Sequence, residues 1–201
     1  MKKTIFFICT LFFLVNAKAQ DAHFGIKAGL NAASLNYNDN SDMQTKIGFN
    51  AGFLAHIHTS NKFWAFQPEI YYSDEGARSK SNSDVRTNLG FINIPVLIQY
   101  MFDNGFRIEA GPQVDLLMNA KEKNVNFDEN NSVITTNVKN RFNSADFSIP
   151  LGIGYVSTSG VGFDARYNFG ISNIYKINSA PVTHSNVFQF DIFYQFTGSK
   201  K

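Results

Sequence analysis

Apolar and polar residues alternate with a period of two along most of this chain. The clearest run spans residues 161–171, where Val161, Phe163, Ala165, Tyr167, Phe169 and Ile171 occupy alternate positions. Glycine, aspartate, arginine and asparagine occupy the positions between them. Only a β-strand places alternate residues on opposite faces, so the run predicts a strand with one apolar and one polar face. About 11 residues is also the length that a tilted strand needs to cross a bilayer.

The pattern recurs to give eight predicted strands. They cover residues 24–31, 47–57, 64–72, 92–100, 106–116, 147–155, 161–171 and 188–196. Short connections at 58–62, 102–105 and 157–160 carry residues typical of tight turns, and they alternate with long polar connections at 31–46, 73–88, 119–145 and 175–185. This arrangement predicts an all-β fold, an eight-stranded antiparallel up-and-down transmembrane β-barrel.

Alternation alone does not say which face points inward, because a soluble barrel with an apolar interior shows it too. The apolar faces, however, carry more large side chains than an eight-stranded barrel can enclose. They also carry no charged residue on any of the eight strands. We therefore expect the apolar face to meet lipid, with aromatic residues such as Trp64, Tyr100 and Tyr155 forming a girdle beside the short turns.

Four prolines fall inside predicted strands, where each removes a hydrogen-bond donor from the ladder. They are Pro68, Pro95, Pro112 and Pro150. We expect bulges or local bends at these positions.

The first 19 residues have the features of a secretory signal. Lys2 and Lys3 precede an apolar run at residues 5–15, and Ala17-Lys18-Ala19 matches the small-x-small pattern of a cleavage site. The run is shorter than a spanning helix requires. We expect residues 1–19 to be removed and residues 20–201 to form one barrel domain. Because Cys9 lies in the signal, we expect the mature chain to have no cysteine.

Charge and composition limit the partners. Three lysines and no acid leave with the signal, so the formal net charge of +2 becomes −1. This balance argues against nucleic-acid binding. We expect a monomer in contact with outer-membrane lipid, and the sequence indicates no cofactor.

Several segments, in order, resemble those of the small outer-membrane β-barrel proteins known as porin-family or PorT-like. They are Gln67-Pro68-Glu69-Ile70-Tyr71-Tyr72-Ser73, Ile92-Asn93-Ile94-Pro95-Val96-Leu97-Ile98-Gln99-Tyr100, Glu109-Ala110-Gly111-Pro112-Gln113 and Asp164-Ala165-Arg166-Tyr167-Asn168. The resemblance covers nearly the whole mature chain and implies a Gram-negative outer-membrane barrel. It brings no catalytic residues, and one branch of the family is tied to protein secretion.

The polar faces of the strands carry charges of both signs. They are Lys27, Glu69, Arg107, Glu109, Asp115, Asp164, Arg166 and Asp191. Because buried charges must pair or stay hydrated, we expect a paired ion network inside the barrel. The alternative is a relay or permeation path for a small polar solute.

Histidines supply the remaining candidate chemistry. If Gly29 lies near Gly52, the first hairpin brings His23 beside His58 with His56 close by, and such a cluster is a candidate for transition-metal binding or simply a polar rim. His184 lies next to Thr183 and Ser185, but adjacency in sequence is not a catalytic triad.

The sequence favours a non-enzymatic structural or interaction protein of the outer membrane. Its long loops, especially residues 119–145, are the candidates for contact with a protein partner. A narrow channel for small polar solutes is the second hypothesis, and a lipid-modifying membrane enzyme is the third.

Overall fold

A computed structural model describes residues 22–37, 43–79, 85–125, 133–176 and 183–196. The predicted signal, residues 1–19, lies outside these residues. Within the described ranges, no helix is both long enough and apolar enough to span a membrane.

The described residues form ten strands and one short 3-10 helix at Lys139–Arg141. The strands are β1 (Ala22–Tyr37), β2 (Met43–His58), β3 (Trp64–Ser79), β4 (Arg86–Met101), β5 (Phe106–Ala110), β6 (Gln113–Val125), β7 (Val133–Asn137), β8 (Ala145–Val156), β9 (Val161–Gly170) and β10 (Thr183–Gln195).

These strands close into a barrel of eight positions. β5 and β6 follow one another between β4 and β8 and act as one strand, interrupted at Gly111 and Pro112. Every pairing is antiparallel, and β1 pairs with β10 to complete the ring. The predicted eight-stranded antiparallel barrel is confirmed.

The two faces of the strands point as the alternation predicted. Large apolar side chains lie on the outer surface, and Phe53, for example, is 64% exposed. The polar positions between them are buried inside the ring. Rings of Trp64 and Tyr100 meet at 5.1 Å between centroids, and those of Phe106 and Tyr155 at 5.4 Å, beside the short turns.

The loops predicted at residues 31–46, 73–88 and 119–145 are largely strand. β1 to β4 each continue for 16 residues, well past the length that crosses a bilayer. β7 was not predicted, and it pairs with the far half of β6 as a hairpin from Lys121↔Asn137 to Val125↔Val133. These extensions lie beyond the lipid, so both of their faces carry polar side chains. Without an apolar face, the sequence shows no period-two alternation there.

The strand register does not shift at any of the four strand prolines, so the bulges expected there are absent. Pro112 lies in the break between β5 and β6, whereas Pro68, Pro95 and Pro150 lie in continuous strands. The register shifts occur elsewhere, between Thr45 and Asn50 and between Gly90 and Phe91. The φ angle of proline is compatible with extended backbone, so each of the three lacks a backbone N–H donor while its strand continues in register.

Candidate functional site

The middle of the barrel holds a buried network of charged side chains centred on Glu69 and Arg166. The Arg166 guanidinium donates from Nη1 to Glu69 Oε2 and from Nη2 to Glu69 Oε1, both at 2.8 Å. Arg166 Nε also donates to Glu109 and lies 3.2 Å from Asp164 Oδ1. Lys27 Nζ lies 3.0 Å from Glu69 Oε2 and 2.5 Å from Asp191 Oδ2.

Of the cations in this network, Arg107 lies nearest to the short turns. Its Nε lies 3.9 Å from Glu109 Oε2, beyond hydrogen-bond distance, and its guanidinium stacks over the Phe193 ring at 4.4 Å. Gln99 Nε2 donates to the same Glu109 oxygen at 2.6 Å. Arg107 therefore interacts with the network through charge and is not locked into it by hydrogen bonds.

Glycines on β8 make room for these long side chains. A Cβ atom at Gly152 would lie 2.8 Å from Arg166 Cγ, and one at Gly154 would lie 2.8 Å from Arg107 Nε. Both glycines face the interior opposite the two arginines. The glycine-rich inner face of β8 is thus what allows two guanidinium groups inside so narrow a barrel.

Asp115 is separate from the other seven predicted interior charges. It accepts hydrogen bonds from Gln113 Nε2 at 2.6 Å and Ser148 Oγ at 2.7 Å. It lies nearer the long-strand end and pairs directly across strands with Asp146. The structure therefore brings Lys27, Glu69, Arg107, Glu109, Asp164, Arg166 and Asp191 together and leaves Asp115 in a polar layer above them.

An apolar cluster covers the long-strand end of the interior. It contains Leu35, Ala77, Leu89, Phe91, Leu117, Ala120, Val138, Phe142 and Ile174. Val138 and Phe142 flank the 3-10 helix, and the Phe142 ring stacks on Tyr175 at 4.8 Å. Val138 and Phe142, from a predicted loop, thus pack inward over the end of the barrel. The alternation of the strands did not predict this packing.

The three clustered histidines lie at the short-turn end. The register differs from the prediction by two residues, since Gly29 pairs with Asn50 and His23 pairs directly with His56. The ring of His58 nevertheless lies 5.8 Å from that of His23 and 4.6 Å from that of His56. Across the described ranges, no group of three or more His, Cys, Asp or Glu side chains is arranged to hold a metal ion.

His184 does not meet an acid or a nucleophile in the way that a triad would require. Its Nδ1 lies 3.1 Å from the backbone carbonyl oxygen of Ser172. The neighbouring Ser185 hydroxyl donates to Glu75 Oε2 at 3.1 Å instead.

Cations collect on the outer face of the long-strand end. Arg78 pairs across strands with Arg86, and Arg86 pairs with Lys123, so three like charges occupy one row over β3, β4 and β6. Lys121 follows on the same face of β6, and Lys139 and Arg141 lie in the 3-10 helix after the β6–β7 hairpin. We call these six residues the basic edge. Sequence reasoning missed its central row because only strand register brings Arg78, Arg86 and Lys123 together.

Like charges placed directly opposite each other destabilise a sheet unless something compensates them. Within the described part of the hairpin, Glu122 contacts Arg141 at 3.1 Å. This ion pair does not include Lys121 or Lys123. The Nε atoms of Arg78 and Arg86 are buried without hydrogen-bond partners. Lys139 donates to the Met118 carbonyl oxygen at 2.8 Å and Arg141 donates to Glu122, so like charge in the basic edge is most concentrated at Arg78, Arg86 and Lys123.

The family of this chain follows from its similarity to known proteins. Residues 18–176 match the family model described as outer membrane protein beta-barrel domain. No curated protein sequence matches the chain.

Solved structures with a similar fold are also small outer-membrane barrels. Neisserial surface protein A shares 16% identity at a TM-score of 0.57, over 88% of this chain and 100% of that one. Ail of Yersinia pestis shares 9% identity at a TM-score of 0.53, over 88% and 100%. A second Ail structure, in complex with the heparin analogue sucrose octasulfate, shares 10% identity at a TM-score of 0.50 over the same fractions.

These likenesses concern the fold alone, whereas the family match covers most of the sequence. It agrees with the outward apolar face and the filled polar interior described above, and it sets the location at the outer membrane. The chain belongs to the outer membrane protein β-barrel domain family.

Proposed function

We propose that this protein is a non-enzymatic interaction protein of the cell surface, with the barrel as its anchor. In outer-membrane barrels the short turns face the periplasm and the longer connections face outward. The long strands, the β6–β7 hairpin and the basic edge then stand on the cell exterior.

The observation that carries the proposal is the basic edge. Arg78, Arg86 and Lys123 form a row of like charges that the fold maintains at a cost in stability, which a bound anionic partner would offset. Arginine and lysine side chains bind sulfate and phosphate groups through charge-assisted hydrogen bonds. We therefore infer that the partner is a sulfated or phosphorylated saccharide.

A barrel of similar fold offers a precedent for this ligand class. Ail has been solved with sucrose octasulfate, but the low identity means that its binding residues do not transfer to this chain. For this protein the inference rests on its own cations.

A narrow channel is a weaker candidate because large side chains fill the middle of the interior and cover its outer end. Arg107, Arg166, Tyr71 and Phe193 are fully buried within the ring. Phe142 and its neighbours cover the outer end. A catalytic role has less support still, since His184 contacts a backbone carbonyl group.

The segments quoted above support placing the chain in the porin-family or PorT-like branch. Pro68 and Pro95 lie in continuous strands, so the two segments that contain them are parts of the barrel wall. The proposed interaction role does not depend on this finer placement.

The test measures binding of sucrose octasulfate to the purified, folded barrel in detergent. The wild-type protein should bind it, with an affinity that falls as salt rises. Arg86→Gln with Lys123→Gln should weaken binding by about tenfold or more. Lys62→Gln, which removes an exposed cation from the opposite end, should bind as the wild type does.

Absence of binding by the wild type, or equal binding by the double variant, would contradict the proposed ligand. In that event, capture of an outer-membrane protein that depends on the β6–β7 hairpin would identify a protein partner instead.

A further inference from the structure

A cavity of about 400 Å³ opens at the periplasmic end of the barrel. Its walls are the turns at 102–105 and 157–160 together with His23 and His58. Its floor is formed by three buried polar side chains, Arg107, His56 and Gln195, which are 1%, 3% and 7% exposed. The cavity is separate from the basic edge, which lies at the other end.

The floor presents hydrogen-bonding atoms without partners. Arg107 Nε and Nη2, Gln195 Nε2 and His56 Nδ1 are all buried and make no hydrogen bond within the protein. A buried donor without a partner destabilises the protein, and more so when the donor is charged. The three residues that carry these four atoms all line one opening.

The arrangement around Arg107 explains why its donors stay open. Its Nη1 donates weakly to Gln67 Oε1 at 3.5 Å, and Phe193 supports the plane of the guanidinium from below. Glu109 neutralises part of its charge from 3.9 Å but accepts its hydrogen bonds from Gln99 and Arg166. The guanidinium is thus held in place while Nε and Nη2 lack acceptors.

Most of the unpartnered atoms on the floor are donors. Both Arg107 nitrogens and the Gln195 amide can only donate, and a His nitrogen can donate in one tautomer or when protonated. The carboxylate at the rim, Asp103, lies 2.9 Å from Lys62 and is exposed. Lys62 offsets the charge of Asp103 at the rim, and the donor-rich floor with its arginine favours an oxyanion.

We propose that this cavity is a binding site for a small oxyanion, a carboxylate or a phosphate group, from the periplasm. Arg107 and Gln195 are the floor side chains that donate to its oxygens, and the Arg107 guanidinium also supplies the positive charge. A phosphate ion alone fills only part of 400 Å³. The site therefore suits an oxyanion attached to a small organic body, whose apolar part contacts Met101, Phe102 and Val156.

The experiment titrates the ¹⁵N-labelled, folded wild-type barrel with inorganic phosphate and, separately, with acetate, at constant ionic strength maintained by chloride. The Arg107 Nε–H signal, identified by its loss in Arg107→Lys, and the Gln195 amide signals should shift and saturate. Saturation on the order of 1 mM or tighter is expected for the better anion. Which of the two anions saturates first identifies the preferred group.

Gln195→Glu tests the same site by adding a negative charge to the floor. It should weaken anion binding by about tenfold or more. Gln44→Glu adds the same charge at an exposed position of β2 on the opposite end, and it should bind as the wild type does.

Two results would overturn the proposal. One is that neither anion shifts the pocket signals of the wild type in a saturable way, which would leave the cavity as a water-filled vestibule. The other is equal affinity in the wild type and in folded Gln195→Glu. The wild-type titration decides the question even if Gln195→Glu does not fold.

Discussion

Arg166 on β9 and Glu69 on β3, 97 residues apart in sequence, form a bidentate ion pair across the full width of the barrel. β3 and β9 occupy opposite positions in the ring of eight, so this pair joins walls that share no backbone hydrogen bonds. Arg166 also contacts Glu109 and Asp164, and Lys27 contacts Glu69. One arginine therefore holds three acids in the polar middle of the barrel, below the apolar cluster at the long-strand end.

Arg166→Met should strongly destabilise the barrel, because it leaves three buried carboxylates without their shared cation. We expect a loss of about 3–5 kcal/mol in the free energy of unfolding, the range for breaking a buried ion pair from one side. Urea unfolding of the refolded protein, followed by the mobility difference between boiled and unboiled gel samples, measures it.

Lys62→Met is the matched control for that prediction, since it breaks an ion pair of similar length, 2.9 Å to Asp103, on the exposed surface. Its stability should change little because exposed pairs contribute little. Equal destabilisation by the two substitutions would mean that the interior network has no special role.

Gly152→Ala should destabilise the protein through Arg166. The added Cβ atom would lie 2.8 Å from Arg166 Cγ, so the arginine must move from its position against Glu109. A cost of about 1–3 kcal/mol is typical of such overpacking. In an Arg166→Met background the cost should shrink, and an unchanged cost in a double-mutant cycle would show that Arg166 is not the group displaced.

Single cysteines should reveal the orientation of the barrel. Cys9 is the only cysteine in the sequence and lies in the predicted signal, so introduced thiols can be labelled selectively. A membrane-impermeant maleimide added to whole cells should label Asn140→Cys, in the 3-10 helix, and not Asp103→Cys, in a short turn. Lysed cells should give labelling at both positions, and the reverse pattern in whole cells would invert the proposed sidedness.

The purified barrel should show no stable porin-like conductance in planar bilayers. Arg107, Arg166, Tyr71 and Phe193 fill the lumen, and an eight-stranded barrel leaves little space beyond its side chains. Large, steady single-channel steps from the wild-type protein would favour the channel hypothesis.

Period-two alternation was sufficient to predict the barrel, its strand count and which residues share a face. Phe163 and Tyr167 had to share a face, and Asp164 and Arg166 the other, because alternation in a strand is a local property. Size then set the direction of the faces, since the ring is too narrow to enclose so many large apolar side chains.

The tertiary structure decided which charges meet, because inter-strand register is not local. A shift of two residues in the first hairpin keeps each side chain on its face but changes every partner, which is why His23 lies opposite His56. Register likewise assembles the row of Arg78, Arg86 and Lys123 from three strands. The sequence alone determined what kind of surface each strand presents, and only closure of the ring determined the contacts between those surfaces.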